Sequence, residues 1–288
     1  MKHKSLFIVL MFVVTAIIIA VALFLRFGAF KRNFSGWFSS DANNVETREV
    51  IVDAFEDIDI DADIMALEIV RGDNYRVEYT IPDNIDADIE VSGDTLELTV
   101  KGRNIANFGN KFGKNNFKFI VYVPENVTFG KLEGDIDAGS IDIANAVFEK
   151  IELKANAADI QLKGLTVGDS KLKADAGNIE IADSTFGDLN IDTDAGNVEM
   201  NGVNAEDVFV TTAMGNIELK KVSFKNGEME SDLGNIEVRG TFDSVKAECS
   251  LGAVTIYPEN PEAKIDVDVS MGSINISGKQ ISGKHYKN

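Results

Sequence analysis

The sequence predicts an all-β protein. The expected fold is a single-stranded β-solenoid of about eight 19-residue coils, with an N-terminal β cap, preceded by one transmembrane helix. Three observations predict it. A glycine followed by a small polar residue and then Ile or Val recurs at a fixed interval. The residues on either side of that glycine alternate apolar and polar, the period of a strand with one buried face. A long apolar run stands near the N-terminus.

The apolar run is Leu6–Leu25, twenty residues of which only Thr15 is polar. Lys2 and Lys4 precede it, and Arg26, Lys31 and Arg32 follow. At about 1.5 Å per residue it spans roughly 30 Å, the thickness of a bilayer core. The run is longer than the apolar core of a cleaved leader, and no A-x-A-like site accompanies it. Residues 1–32 are therefore expected to be an uncleaved anchor, with the lipid bilayer as partner through residues 6–25. Basic residues flank both ends. The short basic N-terminus and the long acidic remainder favour a cytoplasmic N-terminus, with the bulk of the chain extracytoplasmic at the cell membrane. Residues 33–45 read as a linker.

Residues 33–288 hold all 47 acidic residues and 23 of the 28 basic ones, the other five being those beside the anchor, for a net charge of −24. A nucleic-acid partner is excluded on that balance. Anionic lipid is repelled except at a local basic patch. The one cysteine, Cys249, allows no intrachain disulfide.

Residues 46–130 are strand-rich without a period: Ile58-Asp59-Ile60, Ala66 to Val70, Arg76 to Thr80, Ile89-Glu90-Val91 and Leu96 to Val100. They read as an irregular β cap that leads into the stack through Phe119-Ile120-Val121-Tyr122-Val123-Pro124. Residues 131–278 carry the repeat. Gly139, Gly177, Gly196, Gly215, Gly234, Gly252 and Gly272 mark seven units and Ala158 the eighth, at spacings of 19, 19, 19, 19, 19, 18 and 20. With this residue as position zero, +2 and +4 are apolar throughout, as in Ile179 and Ile181. Position +3 is polar throughout.

Upstream of the glycine, −5 is mostly apolar, −3 small or β-branched and −1 apolar, which predicts a second strand and a corner between the two. Phe148, Phe186 and Phe224 at +9, with Phe242 one place earlier, are expected to plug the opposite turn. One such unit cannot bury enough surface to fold by itself, so the units must stack and share a core. Cys249 falls in the inward −3 column and is expected in that core rather than in chemistry. Residues 279–288 form a basic tail whose lysines fit edge protection.

The outward +3 column reads Asp142, Gln161, Glu180, Glu199, Glu218, Glu237, Thr255 and Asn275. It is either a ladder for cations or polycations, or a solvated face that keeps the sheet soluble. Asn178, Asn197, Asn216 and Asn235 at +1 are expected to stack and hydrogen-bond from coil to coil. The alternating Asp57, Asp59, Asp61 and Asp63 offer oxygens to calcium, yet the residue pattern of a calcium loop is absent. No metal site or cofactor is expected.

The stretch from Lys101 to Lys118 reverses the local charge. It holds Lys101, Arg103, Lys111, Lys114 and Lys118 with Phe108, Phe112 and Phe117, and no acid. It is either a contact for anionic envelope polymer or lipid headgroups, or a long hairpin loop. Lys101, Arg103, Lys111, Phe112, Lys114 and Lys118 are the candidate contact residues. No catalytic constellation is visible, since the two histidines, His3 and His285, stand near opposite ends of the chain. The chain is expected not to be an enzyme.

The Val121-Tyr122-Val123-Pro124 strand followed by repeats of the Gly139-Ser140-Ile141 type resembles the bacterial β-strand-repeat "putative adhesin" family of unknown function, over about residues 50–280. With an N-terminal anchor and an acidic ectodomain it is similar to LiaG-type members encoded beside cell-envelope stress regulators. The resemblance implies an envelope location and a role in adhesion or envelope-stress sensing, with cell-wall polymer or an envelope protein as partner. It supplies no catalytic residues. The alternatives are an inert structural spacer and a polysaccharide-active β-helix enzyme. The latter needs a cleft walled by long insertions, which near-constant repeat lengths do not provide.

Overall fold

The computed structural model describes residues 45–82, 85–102, 117–125 and 127–288. The expected anchor at residues 6–25, nearly all of the linker and residues 103–116 of the basic stretch lie outside the described residues. Among the described residues there is no helix, and none is therefore long and apolar enough to cross a membrane.

The cap strands are β1 (Val45–Ile51), β2 (Asp57–Ala62), β3 (Met65–Arg71), β4 (Arg76–Pro82), β5 (Asp86–Ser92), β6 (Thr95–Lys101) and β7 (Lys118–Val123). The repeats run through β8 (Thr128–Ala144), β9 (Val147–Lys163), β10 (Thr166–Ala176), β11 (Ile179–Ala182), β12 (Leu189–Ala195), β13 (Val198–Asn201), β14 (Asp207–Met214), β15 (Ile217–Leu233), β16 (Ile236–Pro258) and β17 (Lys264–Ile276). Two short strands follow, β18 (Lys279–Ile281) and β19 (His285–Lys287).

Each coil lays one segment before its glycine and one after it. Both pair in parallel with the equivalent segments of the next coil, Leu172 with Ile191 and Ile179 with Val198. Two sheets thus face one core. Positions +2 and +4 point into it, with Ile179, Ile181, Val198, Met200, Ile217 and Leu219 fully buried. The phenylalanine plug is present: Phe148, Phe186, Phe224 and Phe242 are buried, and Phe129 stacks on Phe148 at 4.9 Å and Phe224 on Phe242 at 5.3 Å.

The glycine corner is a matter of space. A Cβ on Gly215 would lie 1.8 Å from the carbonyl oxygen of Gly196, and one on Gly196 1.8 Å from that of Gly177. The corners stack backbone on backbone, so a side chain has nowhere to go. A second corner lies six residues on, where the chain takes a left-handed conformation at Asn145 (φ 55°), Gly164 (φ 66°), Asp183 (φ 49°), Gly202 (φ 72°) and Lys221 (φ 51°). The first four alternate Asn or Asp with Gly, residue types that accept positive φ at least cost.

Position −1 departs from the expectation. Positions −5 and −3 face inward, but the chain has already turned at −1, and its side chains face out. Met214 and Leu251 are each 46% exposed and Met271 is 55% exposed. The two irregular spacings also have local causes. In the 18-residue unit, the register with β16 passes over Lys221 and shifts between Lys220 and Val222, a bulge. In the 20-residue unit β16 ends at Pro258, and the turn to β17 contains Pro261.

The cap is more regular than its sequence suggests. β2 and β3 form a coil in register with β8: Ile58 pairs with Leu132 and Leu67 with Ile141. β6 and β7 form a further layer beneath, Ile58 pairing with Leu96 and Leu67 with Phe119. The β2–β3 layer therefore lies between β6–β7 and β8, although it precedes both in the chain. β5 closes β6 and β4 closes β7, both antiparallel, and β1 pairs with β4. At the other end β18 and β19 close the two faces of β17, also antiparallel. Antiparallel closure at both ends masks the parallel edges that would otherwise template aggregation.

Candidate functional site

The outward columns are the chemistry this stack presents. On the sheet after the corner, Glu180, Glu199, Glu218 and Glu237 stand in register on four consecutive coils. Parallel pairing sets them about 4.8 Å apart. Glu218 pairs with Lys220 and Glu237 with Arg239, each two residues on along the same face. These hydrogen bonds raise the Lys220 and Arg239 values above their ordinary range. The upper half of the column is thereby neutralised, and Glu180 and Glu199 carry the remaining negative charge.

On the sheet before the corner, opposite charges interleave. Lys131 Nζ lies 2.7 Å from both Glu133 and Glu152, and Lys150 Nζ 2.9 Å from Glu152. Two ammonium groups on one carboxylate hold Glu152 down at about 2, and hydrogen bonds to Glu133 and Glu152 push Lys131 up. Lys154 donates to Asp135 at 2.9 Å, and Lys246 lies 2.7 Å from Glu228 and 2.8 Å from Glu248. Lys131–Glu152, Lys154–Asp135 and Lys246–Glu228 join neighbouring coils and the other pairs lie along one strand; all are solvent-accessible and individually worth little.

The expected Asn ladder is present. Asn197, Asn216 and Asn235 each donate from backbone and side chain to the Oδ1 one coil below, and Asp159 accepts in the same way from Asn178. A second ladder was not read from the sequence. Asn226 donates from Nδ2 to Asp207 at 2.8 Å, and Ser244 donates to Asn226 at 2.9 Å. Inside, Thr212, Ser231 and Cys249 reach the carbonyls of Gly196, Gly215 and Gly234. Cys249 is buried, and desolvation raises its thiol. That is the state of a packing residue rather than a nucleophile.

Of the candidate contact residues, Arg103, Lys111, Phe112 and Lys114 lie outside the described residues. Lys101 ends β6 on one sheet and Lys118 opens β7 on the other. The neighbouring coil passes from Ala62 on the first sheet to Met65 on the second through two residues. Lys101 Nζ lies 2.5 Å from Asp61, a hydrogen bond that raises its value, and 3.9 Å from Asp63. Lys118 Nζ lies 3.1 Å from Glu68. Both cations tie the lowest layer to the coil above it.

The alternating aspartates serve the cap. Asp57 accepts from the Lys131 backbone at 2.6 Å and Asp63 from Gly102 at 2.8 Å. One group that the sequence did not single out is Asp266, Asp268 and His285, whose ligand atoms lie within 4.8 Å of one another. It arises because β19 folds back on β17, and Lys287 already pairs with Asp266 there.

The family model described as Toastrack DUF4097 matches residues 55–203 and again residues 176–286. Among solved structures, one described as a "putative adhesin" from Parabacteroides distasonis is 18% identical, with a TM-score of 0.56, over 82% of this chain and 97% of that one. Another with that description, from Parabacteroides merdae, is 19% identical, with a TM-score of 0.53, over the same shares. At this identity the likeness is one of fold. No curated protein matches the chain.

Proposed function

The chain belongs to the Toastrack DUF4097 family, and from that premise we propose that it is a non-enzymatic, membrane-anchored envelope module that presents a binding or sensing face. Residues 6–25 hold it in the bilayer with the N-terminus inside, and the solenoid stands outside. The LiaG-type resemblance supports a role in the setting of envelope stress.

The observation that carries this reading is the in-register display of outward side chains. Residues 19 apart, such as Glu180, Glu199 and Glu218, are held at a constant interval by parallel pairing. Such a surface suits a repetitive or extended partner better than a small molecule in a cleft. The "putative adhesin" description of the two Parabacteroides proteins fits a surface role.

Protease treatment of intact cells tests the placement. Digestion of the solenoid without lysis is the expected result, and digestion only after lysis places the chain in the cytosol and ends the proposal. Pull-down of isolated envelopes with the full chain, beside assays for cleavage of wall glycans, tests the rest. Envelope binding without cleavage is expected. Glycan cleavage would make the chain an enzyme.

A further inference from the structure

Phe209 stands on the outward side of β14 with 40% of its surface exposed. The residues in register on either side of it along the stack are polar, Asn190 on one coil and Glu228 on the next. No described ring lies against it, and at this position it adds nothing to the core. Aromatic side chains are enriched at contact surfaces relative to the rest of a protein's exterior.

Its surroundings select the partner. Asp207 is two residues away on the same strand. Glu228 lies across from Phe209, and Asp188, Asp192 and Glu230 lie on the diagonals set by the same registers. Among the described residues three lysines answer these five carboxylates: Lys246 is 2.7 Å from Glu228, Lys173 is 3.8 Å from Asp192, and Lys225, bonded to Glu206 at 3.0 Å, also feels Asp207 and Asp188. Beside the ring a shallow hollow opens over Gly227, whose neighbours in register are Val208 and Val245. Its far rim carries Lys246, Lys264 and Lys287, of which the first and last are already paired with Glu228 and Asp266.

The geometry points to this surface as the docking site for a cationic, amphipathic peptide segment. An apolar side chain of the peptide covers the Phe209 ring and the hollow. Its lysine or arginine groups sit among the carboxylates and against the ring face, where cation and quadrupole attract. The same carboxylates repel an anionic polymer. The inference rests on the ligand-presenting reading above and names the chemistry of the ligand.

The test uses the full chain in detergent micelles and a fluorescein-labelled peptide of alternating lysine and leucine. Controls are a lysine–serine peptide, a glutamate–leucine peptide and a soluble N-acetylglucosamine oligomer. The lysine–leucine peptide is expected to bind with an affinity that falls as salt rises. Phe209→Ser is expected to weaken it roughly tenfold, while Met214→Ser, an exposed apolar site on the same strand, leaves it unchanged. The double variant Asp192→Asn, Glu230→Gln keeps the ring and is expected to flatten the salt dependence.

Binding by Phe209→Ser equal to that of the unmodified chain, at an unchanged unfolding temperature, overturns the inference. So does equal binding of any control ligand, loss of binding in Met214→Ser as well, or no binding by the unmodified chain. The peptide assay is independent of cell topology. A chain protected from protease in intact cells would end the envelope proposal and leave the peptide result standing.

Discussion

Asn197 donates both its backbone N–H and its side-chain Nδ2 to one acceptor, Asn178 Oδ1, at 3.1 and 3.2 Å. The arrangement repeats upward to Ala253, whose N–H reaches Asn235 Oδ1 at 2.9 Å. Each rung caps a backbone donor that the sharp corner leaves without a strand partner. Asn197→Ala should therefore cost about 1–2 kcal/mol, because Asn216 loses its acceptor. Asn197→Asp should cost less, since Asp159 already fills this role beneath Asn178. Chemical denaturation of the two variants checks the order.

Gly215→Ala should destabilise by roughly 3 kcal/mol or more, since its Cβ would meet the Gly196 carbonyl at 1.8 Å and backbone must move. Ala158→Gly, at the one corner of the repeat that carries a side chain, should cost about 1 kcal/mol through chain entropy. Thermal unfolding of both variants tests whether space, rather than glycine's flexibility, governs the corner.

Ile217→Asp places a carboxylate in the shared core at a fully buried position. Loss of several kcal/mol is expected, in one transition that includes neighbouring coils. Hydrogen exchange should show protection lost on both sides of residue 217. Loss confined to that coil would contradict cooperative stacking.

Glu152 is held at about 2 by hydrogen bonds from Lys131 and Lys150, below its ordinary 4.5. A depressed carboxylate contributes stability that is complete above its unfolded value and lost as pH falls through its folded one. The contribution should fade between about pH 4.5 and about pH 2. Glu152→Gln should lower stability at neutral pH and match the unmodified chain at the acid end, as read from denaturation midpoints across that range.

Cys249 should resist a water-soluble thiol reagent in the native state and react at the rate of unfolding, because burial raises its thiol. Cys249→Ser should be tolerated, since Ser231 and Thr212 occupy the same column and make the same contact with a corner carbonyl.

The repeat region was legible because every coil poses the same local problem. Ile179, Val198 and Ile217 recur with one period and pair in register, and the inward and outward faces follow from alternation along each strand. The second corner was open to the same reading, since Asn145, Gly164, Asp183 and Gly202 recur at 19 residues with the residue types that left-handed turns favour. At Phe209 the period already aligns Asn190 and Glu228, 19 residues to either side, whereas the exposure of the ring and the hollow beside it belong to the folded chain alone.

Periodic burial admits one register, so the order of residues 131–278 was enough to dictate stacked 19-residue coils around a shared apolar core. The folded molecule was needed to show that β2 and β3 insert between the β6–β7 layer and β8, and that position −1 faces water. Layer order depends on pairings such as Ile58 with Leu96 and Leu132, which leave no period in the chain. The direction of a side chain at a corner depends on where the backbone turns, which alternation alone does not record.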